Sequence, residues 1–225
     1  MQIEAEFTPI DMEKWPMAQG FYYYTQMAPT SYTINVTIDV TNTRRALKDK
    51  GLKFFPAYLY LVTGAIMKHK ELRTAVKDGT LGYWNTLTPA YPQFHEDDKT
   101  TSLLFTQYDD DFTSFHKAYI EDTEKYGGTH GILSAKGLPL PNSYIISCIP
   151  WIKFNSFSLH NHGIKDYYLP SFEAGGFTEA GGRTLMPLSI TVHHATTDGY
   201  HVKEFLDELQ KSMNEPEIWL RGQKG

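Results

Sequence analysis

The chain has 225 residues, of which 41% are apolar and 21% are charged, a balance typical of a globular protein with a buried core. A formal net charge of −5, without any cluster of basic residues, argues against a nucleic-acid-binding protein. The single cysteine excludes an internal disulfide. The sequence shows neither a signal-peptide pattern nor an apolar run long enough to span a bilayer, so we expect a cytoplasmic protein without a membrane partner.

The first half of the chain alternates strand and helix patterns. Apolar and polar residues alternate over 32–40 and predict a half-buried strand. Residues 41–50 predict a short helix closed by Gly51, and Pro56 opens a helix over 57–70 that is apolar nearly all round and therefore buried. The patterns that follow predict a helical piece over 71–76 and strands over 81–84 and 101–107.

The second half continues this irregular interleaving. Helical spacing covers 110–126, strand patterns cover 144–149, 154–159 and 185–192, and a final amphipathic helix covers 202–209. The acidic runs at 95–98 and 109–111 are interpreted as solvated loops or a helix N-cap, with metal binding as a less favoured alternative. Without repeats or linkers, the pattern predicts a single domain over 1–225. We expect an α/β two-layer sandwich in which helices cover a mixed β-sheet.

The stretch "SITVHHATTDGYHV" places His193 and His194 at the end of the last predicted strand, with Asp198 four residues past the second histidine. Sites are commonly built where strands end, and a neutral imidazole with a pKa near its usual value of about 6.5 can accept a proton. A buried structural histidine is the common alternative. Metal binding by either histidine with Asp198 and His201 is another, but no HExxH or His-x-His pattern supports it.

The order HHxxxDG resembles the signature of the coenzyme A-dependent acyltransferases. These include chloramphenicol acetyltransferases, the cores of 2-oxo acid dehydrogenase complexes and condensation domains. The whole set of stretches resembles the chloramphenicol acetyltransferase family in sequence, order and spacing, from about Trp15 to Leu209. The other stretches that carry the resemblance are "FFPAYLYL" (54–61), "ELRTAVKDG" (71–79) and "ISCIPWIKFNSFSL" (146–159).

The resemblance implies the coenzyme A-dependent acyltransferase fold, acetyl-CoA as co-substrate and no metal. It makes His194 the general base, Asp198 a residue that orders the site, and His193 structural. Ser147 matches the serine whose hydroxyl donates to the tetrahedral oxyanion. Cys148 beside it is expected to pack and not to act as a nucleophile.

The resemblance also implies binding residues and an assembly. Tyr24, Tyr32 and Leu159 match positions that line the acceptor pocket. The positions that contact the nucleotide end of the cofactor are matched by Lys53, Phe55 and Phe177. Members of the family are homotrimers with active sites between subunits, the base coming from one subunit and much of the acceptor pocket from the next.

Three departures from the family pattern alter the acceptor side. Met17 stands where an arginine pairs with the motif aspartate, so we expect Asp198 to be held by backbone amides or by a hydroxyl such as that of Thr196. Glu173 stands where the family has a threonine, and we expect it to face the acceptor and to disfavour chloramphenicol. A pocket aromatic is missing near Thr101.

The sequence therefore predicts an acetyl-CoA-dependent O-acetyltransferase that inactivates the antibiotic chloramphenicol by acetylating a hydroxyl group. Three alternatives remain open. The first is a family member acting on another small hydroxyl compound, the second a non-catalytic protein that binds coenzyme A or a small ligand, and the third a metal-dependent hydrolase.

Overall fold

The computed structural model describes residues 4–163 and 165–220. The strands in this part of the chain are β1 (Phe7–Pro9), β2 (Ser31–Asp39), β3 (Thr74–Lys77), β4 (Thr80–Trp84), β5 (Thr88–Phe94), β6 (Thr101–Phe105), β7 (Ser143–Ile149), β8 (Ser171–Gly175), β9 (Thr178–Ala180) and β10 (Arg183–His193). The α-helices are α1 (Ala18–Tyr22), α2 (Thr41–Asp49), α3 (Phe54–Ile66), α4 (Phe112–Tyr126), α5 (Gly199–Asn214) and α6 (Pro216–Trp219). A π-helical turn, Tyr23–Met27, continues α1, and a 3-10 turn, Lys70–Arg73, precedes β3. Among the described residues, no helix combines the length and the hydropathy that a membrane span requires.

The main sheet is mixed and runs β2-β10-β8-β7-β5-β6, with β9 added beside the start of β10. The pairs β5–β7 and β7–β8 are parallel, whereas β2 and β8 both run antiparallel to β10. A separate three-stranded sheet has the order β1-β4-β3. The predicted mixed sheet with covering helices is confirmed.

The core lies between the main sheet and the helices, and β10 shows how the sequence builds it. Met186, Leu188, Ile190 and Val192 alternate along β10 and are all buried in the core cluster with residues of α3 and α5. Because successive side chains of a strand point to opposite faces, the other face of β10 carries polar groups such as Ser189 and Thr191. Glu173 of β8, which pairs with Ser189, lies on this second, polar face of the sheet.

Several sequence predictions match the structure closely. The alternating run at 32–40 is β2, and the apolar stretch after Lys53 is α3, whose residues are buried over most of its length. The acidic run at 109–111 contains the N-cap of α4, since the Asp111 side chain accepts a hydrogen bond from the Ser114 amide at 2.8 Å.

Two predicted elements are wrong. Residues 71–76 do not form a helix; the 3-10 turn ends at Arg73, and the chain then enters β3, which pairs with β4 through a tight turn with positive φ at Asp78 (51°) and Gly79 (76°). Such a two-residue turn favours a hairpin over helix continuation. Residues 154–159 form no strand, because Phe157 bonds to side chains of the sheet: its amide donates to Asn35 Oδ1, and its carbonyl accepts from Ser189 Oγ.

Candidate active site

The turn between β10 and α5 is held by backbone hydrogen bonds. The His194 amide donates to the Thr30 carbonyl at 2.9 Å. The amides of Thr196 and Thr197 both donate to the His193 carbonyl at 3.1 Å. These backbone hydrogen bonds alone fix the position of His194 at the end of β10.

Two tyrosines enclose the ring of His194. Tyr24, from the π-helical turn, stacks on it with ring centroids 4.0 Å apart and an interplanar angle of 11°, and Tyr32 meets it edge-on at 5.1 Å. The Tyr32 hydroxyl donates to the Thr197 carbonyl at 3.0 Å. Burial, with a smaller contribution from the charge of Asp198, raises the pKa of Tyr32 to about 12, so this tyrosine remains a neutral donor.

The imidazole of His194 presents one covered and one accessible edge. Nδ1 lies 3.1 Å from Asp198 Oδ1, close enough for an ion pair but without hydrogen-bond alignment, and it is shielded from solvent. The side chain as a whole is 31% exposed. The exposed area therefore belongs to the rest of the side chain, which includes Nε2, the other basic atom of the ring.

Asp198 is positioned by the start of α5. It is the N-cap residue and forms a capping box with His201, whose Nδ1 accepts a hydrogen bond from the Asp198 amide at 3.0 Å. A carboxylate at a helix N-terminus is stabilised by the unpaired amides and the helix dipole. That backbone amides hold Asp198 stays a prediction, but Thr196 is not the partner, because its hydroxyl donates to the His193 carbonyl.

His193 differs from its neighbour in the use of its ring. Its Nδ1 accepts a hydrogen bond from the Ala195 amide at 3.1 Å, and its ring meets Tyr168 edge-on at 5.0 Å. Burial, and to a smaller degree the adjacent His194, lowers the pKa of His193. Because the His193 ring is neutral and the lone pair of its Nδ1 already accepts a hydrogen bond, this histidine suits a structural role.

Ser147 and Glu173 face each other across neighbouring strands. Ser147 on β7 pairs with Glu173 on β8, which pairs in turn with Ser189 on β10. Glu173 is only 1% exposed, and neither carboxylate oxygen has a hydrogen-bond partner among the described residues. Burial raises its pKa to about 7; the Ser171 hydroxyl on the same strand offsets this partly, although it does not reach hydrogen-bond geometry.

The next residue on β7, Cys148, points to the opposite face of the sheet, since side chains alternate along a strand. It packs against the hydrophobic core, and burial raises the pKa of its thiol to about 11. A thiol with such a pKa is protonated at neutral pH and is a poor nucleophile. This environment suits the packing role expected from the sequence.

Within one chain the structure does not bring Ser147 and His194 together. Ser147 is level with Ser189 on β10, two strands away, and His193 lies four residues further along β10. From the usual strand dimensions, the two Cα atoms of Ser147 and His193 are about 16 Å apart. Within one chain, the two side chains therefore do not contact each other.

Leu159 lies beside the turn but not against the base. It lines a cleft of about 250 Å³ together with Thr30, Ser171 and His193. The cleft opens on the polar face of the sheet, between β10 and the segment that follows β7. Of the acceptor-pocket residues expected from the sequence, Tyr24 and Tyr32 contact His194, Leu159 lines this neighbouring cleft, and Glu173 is buried in the sheet.

The residues expected at the nucleotide end of the cofactor are only partly together. Lys53 is the exposed N-cap residue of α3. Phe177 lies under the guanidinium of Arg44 at 4.3 Å and meets Phe54 edge-on at 5.0 Å. Phe55 instead packs inward.

Phe55 contacts Tyr91 at 5.7 Å and Tyr119 at 6.3 Å, ring to ring. Phe54 and Arg44 are therefore the neighbours of Phe177, and sequence reasoning missed both. The helical spacing of α3 could have predicted that Phe55 packs inward, because Phe55 lies one turn from the fully buried Tyr58 and Leu59.

Solved structures share this fold. A chloramphenicol acetyltransferase structure superposes with a TM-score of 0.83 at 22% identity, covering 92% of this chain and all of that one. The cubic core of the pyruvate dehydrogenase multienzyme complex superposes with a TM-score of 0.63 at 13% identity over 96% of this chain and 99% of that one. The fold is that of the coenzyme A-dependent acyltransferases.

Sequence comparison narrows the class further. The family model for chloramphenicol acetyltransferase matches residues 5–210. The chloramphenicol acetyltransferase of Campylobacter coli is 39% identical over 210 residues, which is 93% of this chain and 99% of the relative. One from Clostridium perfringens is 36% identical over 216 residues, covering 96% of this chain and 98% of the relative. The chain belongs to the chloramphenicol acetyltransferase family.

Proposed function

We propose that this protein transfers the acetyl group of acetyl-CoA to a hydroxyl group of chloramphenicol, with His194 as general base. The environment of His194 carries the proposal. Tyr24 and Tyr32 hold its ring, Asp198 covers Nδ1, and the exposed part of the ring includes Nε2. A base needs this combination of fixed orientation and one open nitrogen.

The chemistry follows from these positions. His194 accepts the proton of the acceptor hydroxyl while the hydroxyl oxygen attacks the thioester carbonyl carbon, giving a tetrahedral oxyanion. The stacked ring of Tyr24 stabilises the imidazolium formed at this stage. Collapse of the oxyanion breaks the C–S bond, and the departing thiolate takes the proton back from the imidazolium. No acyl-enzyme forms, in keeping with the buried, protonated thiol of Cys148.

The proposed oxyanion donor is the Ser147 hydroxyl of a neighbouring copy. This arrangement is supported by the separation of about 16 Å between the Cα atoms of Ser147 and His193 in one chain. A heterologous contact repeated around a threefold axis gives each of three sites one His194 and one Ser147. We therefore propose a homotrimer with its active sites between subunits.

Acetyl-CoA is proposed to bind with its nucleotide end near Lys53, Phe177 and Arg44. Two cations suit its phosphates, and the phenylalanine ring offers a stacking surface for adenine. Phe55, matched to this role by sequence, would then act indirectly by holding the start of α3. The acetyl-CoA pool of the cytoplasm is the proposed source of the co-substrate.

The decisive experiment is release of free coenzyme A thiol from acetyl-CoA, measured with and without chloramphenicol. We expect thiol release that depends on the acceptor and yields acetylated chloramphenicol, and we expect His194→Ala to lose it. A protein that binds coenzyme A tightly but releases no thiol with any hydroxyl acceptor would instead be a binding protein. Loss of activity on chelation in a protein that stays folded would indicate metal-dependent chemistry.

Glu173 favours a second candidate, an acetyltransferase of the same family with another hydroxyl acceptor. A buried carboxyl group without a hydrogen-bond partner among the described residues suits an acceptor with a positive charge better than a neutral one. Glu173→Thr should therefore raise kcat/KM for chloramphenicol, and Ser189→Ala, altering the same sheet face, serves as control. Unchanged kinetics in Glu173→Thr would leave chloramphenicol as the preferred acceptor.

A further inference from the structure

A cluster of two histidines and two aspartates lies at the tip of the β5–β6 hairpin, away from the turn that carries His194. His95 follows β5 and is buried, with 6% exposure. His130, from the segment after α4, stacks on it with ring centroids 4.1 Å apart and an interplanar angle of 21°. Asp97 and Asp98 complete the cluster. The run at 95–98, interpreted from the sequence as a solvated loop, is therefore solvated only in its acidic part.

The ligand-type atoms of this cluster converge. One ligand atom from each of His95, Asp97 and His130 lies within 4.8 Å of the other two. Nε2 of His130 is 3.3 Å from Oδ2 of Asp97. In a tetrahedral zinc site with bonds of about 2.0–2.1 Å, neighbouring ligand atoms are about 3.3 Å apart. One edge of such a tetrahedron is thus already present.

The geometry points to a site for one divalent transition-metal ion per chain, bound by His95, Asp97 and His130, with water in the fourth position. Two imidazoles and one carboxylate suit Zn²⁺, whereas Mg²⁺ and Ca²⁺ prefer sites made of oxygen ligands alone. Binding requires the two stacked rings to tilt apart, because a metal lies in the plane of each imidazole that ligates it. His130, at 40% side-chain exposure, has room for this movement.

Groups around the cluster orient the proposed ligands. Nδ1 of His130 lies 2.6 Å from Oδ2 of Asp98, a carboxylate–histidine pair of the kind that orients metal-bound imidazole and directs its other nitrogen to the ion. Asp98 is itself held by the Thr100 hydroxyl at 2.7 Å and by the Thr100 amide at 2.9 Å. The Ser102 hydroxyl lies 3.1 Å from Nε2 of His95. If the cluster were only an ion pair between His130 and the aspartates, the buried His95 and its contact with Ser102 would have no part in it.

The cluster lies far from the proposed general base of the same chain. Ala90, Ile145, Ser171 and Thr191 are in register across four neighbouring strands. His193 lies two residues beyond Thr191 towards one end of the sheet, and His95 lies five residues beyond Ala90 towards the other. The Cα atoms of His95 and His193 are therefore roughly 25 Å apart. The ion would tie the hairpin tip to the segment after α4.

The test uses the full-length protein without a histidine tag, cleared of metal and titrated with Co²⁺ and Zn²⁺. We expect one ion per chain by calorimetry, visible absorption bands of tetrahedral Co²⁺, and their loss when Zn²⁺ is added. His130→Ala and Asp97→Asn should abolish these bands. Asp98→Asn should weaken binding by about tenfold or more, since it orients a ligand without being one.

Matched controls keep the result specific. His160→Ala removes an exposed histidine elsewhere, and Glu96→Gln removes the neighbouring carboxylate that pairs with Lys99; both should bind the ion as the unmodified protein does. Circular dichroism of each variant establishes that it is folded. The proposal is overturned if the unmodified protein takes up neither ion, or if folded His130→Ala retains the Co²⁺ bands. Neither result would affect the proposed acetyl transfer, which is measured separately.

Discussion

Ser147 and Glu173 are cross-strand neighbours on the parallel strands β7 and β8, and the carboxyl group of Glu173 is buried there without a hydrogen-bond partner among the described residues. The hydroxyl proposed to meet a developing oxyanion thus lies beside a group whose pKa is raised to about 7. An ionised carboxylate opposes negative charge on the oxyanion, whereas a protonated carboxyl does not. The protonation of Glu173 therefore bears on both turnover and stability.

The two adjacent histidines should separate cleanly by mutation. His194→Ala should reduce kcat by ~10²–10⁴, the usual contribution of a positioned general base, without unfolding the protein. His193→Ala should retain most of the activity and lose stability instead, because it removes the bond from the Ala195 amide and the contact with Tyr168. Acetyl-transfer kinetics and thermal unfolding of both variants check this. Inactive His193→Ala beside active His194→Ala would reverse the assignment.

Ser147→Ala should lower kcat far more than it raises KM for acetyl-CoA. A hydrogen bond to the oxyanion exists mainly in the transition state, and removing one such donor costs about 10²–10³ in rate. Cys148→Ala is a suitable control on the same strand and should remain active, since the thiol faces the core. Steady-state kinetics with both substrates decide the point, and a pure KM effect would remove the oxyanion role.

Mixing two inactive variants tests whether sites lie between chains. His194→Ala and Ser147→Ala subunits, unfolded together and reassembled, should recover activity, because a site that takes His194 from one chain and Ser147 from the other has both groups intact. Random assembly of equal amounts into rings gives about a quarter of the sites this pairing. Variants reassembled separately are the controls. No recovery, in assemblies shown to be mixed, would place both residues in one chain.

The buried Glu173 should make stability depend on pH with a defined sign. Its pKa is near 4.5 when exposed and about 7 in the folded chain, so between these values the unfolded state ionises while the folded state stays protonated. The free energy of unfolding should therefore fall by about 3 kcal/mol in all as the pH rises from 4.5 to 7. Above pH 7 it should level off.

Glu173→Gln removes this titration and should gain stability relative to the unmodified protein as pH rises. Denaturant unfolding at pH 5 and pH 8 measures the difference. Equal pH dependence in both proteins would show that the carboxyl group is ionised normally, for example by pairing with a cation of another copy.

The sequence predicted those elements whose local pattern and tertiary environment agree. The alternation over 32–40 became β2, and the strand before His193 became β10. Other strands contain residues with a low intrinsic propensity for β-structure. Pro89 and Pro92 stand in β5, and β8 contains Glu173 and Gly175, so only pairing with their neighbours makes them strands.

The candidate site was predictable from the sequence only as far as motifs reach. HHxxxDG located His194 and Asp198, and the family resemblance supplied Tyr24 and Tyr32. The direction of side chains on a helix or sheet was harder to foresee. Phe54 and not Phe55 lies against Phe177, and His130 meets His95 across 35 residues of sequence without any motif. Contacts between distant segments leave no local periodicity to find.

The stacking of Tyr24 on His194 also gives this residue a spectroscopic signature. A ring 4.0 Å away and nearly parallel places the imidazole protons in the shielding cone of the tyrosine's ring current, so their proton resonances shift upfield. The chain has nine histidines. Tyr24→Leu would return the shifted signals towards ordinary positions and thereby assign them to His194. The protonation of the proposed base then becomes directly visible by NMR, in the resting protein and as each substrate is added.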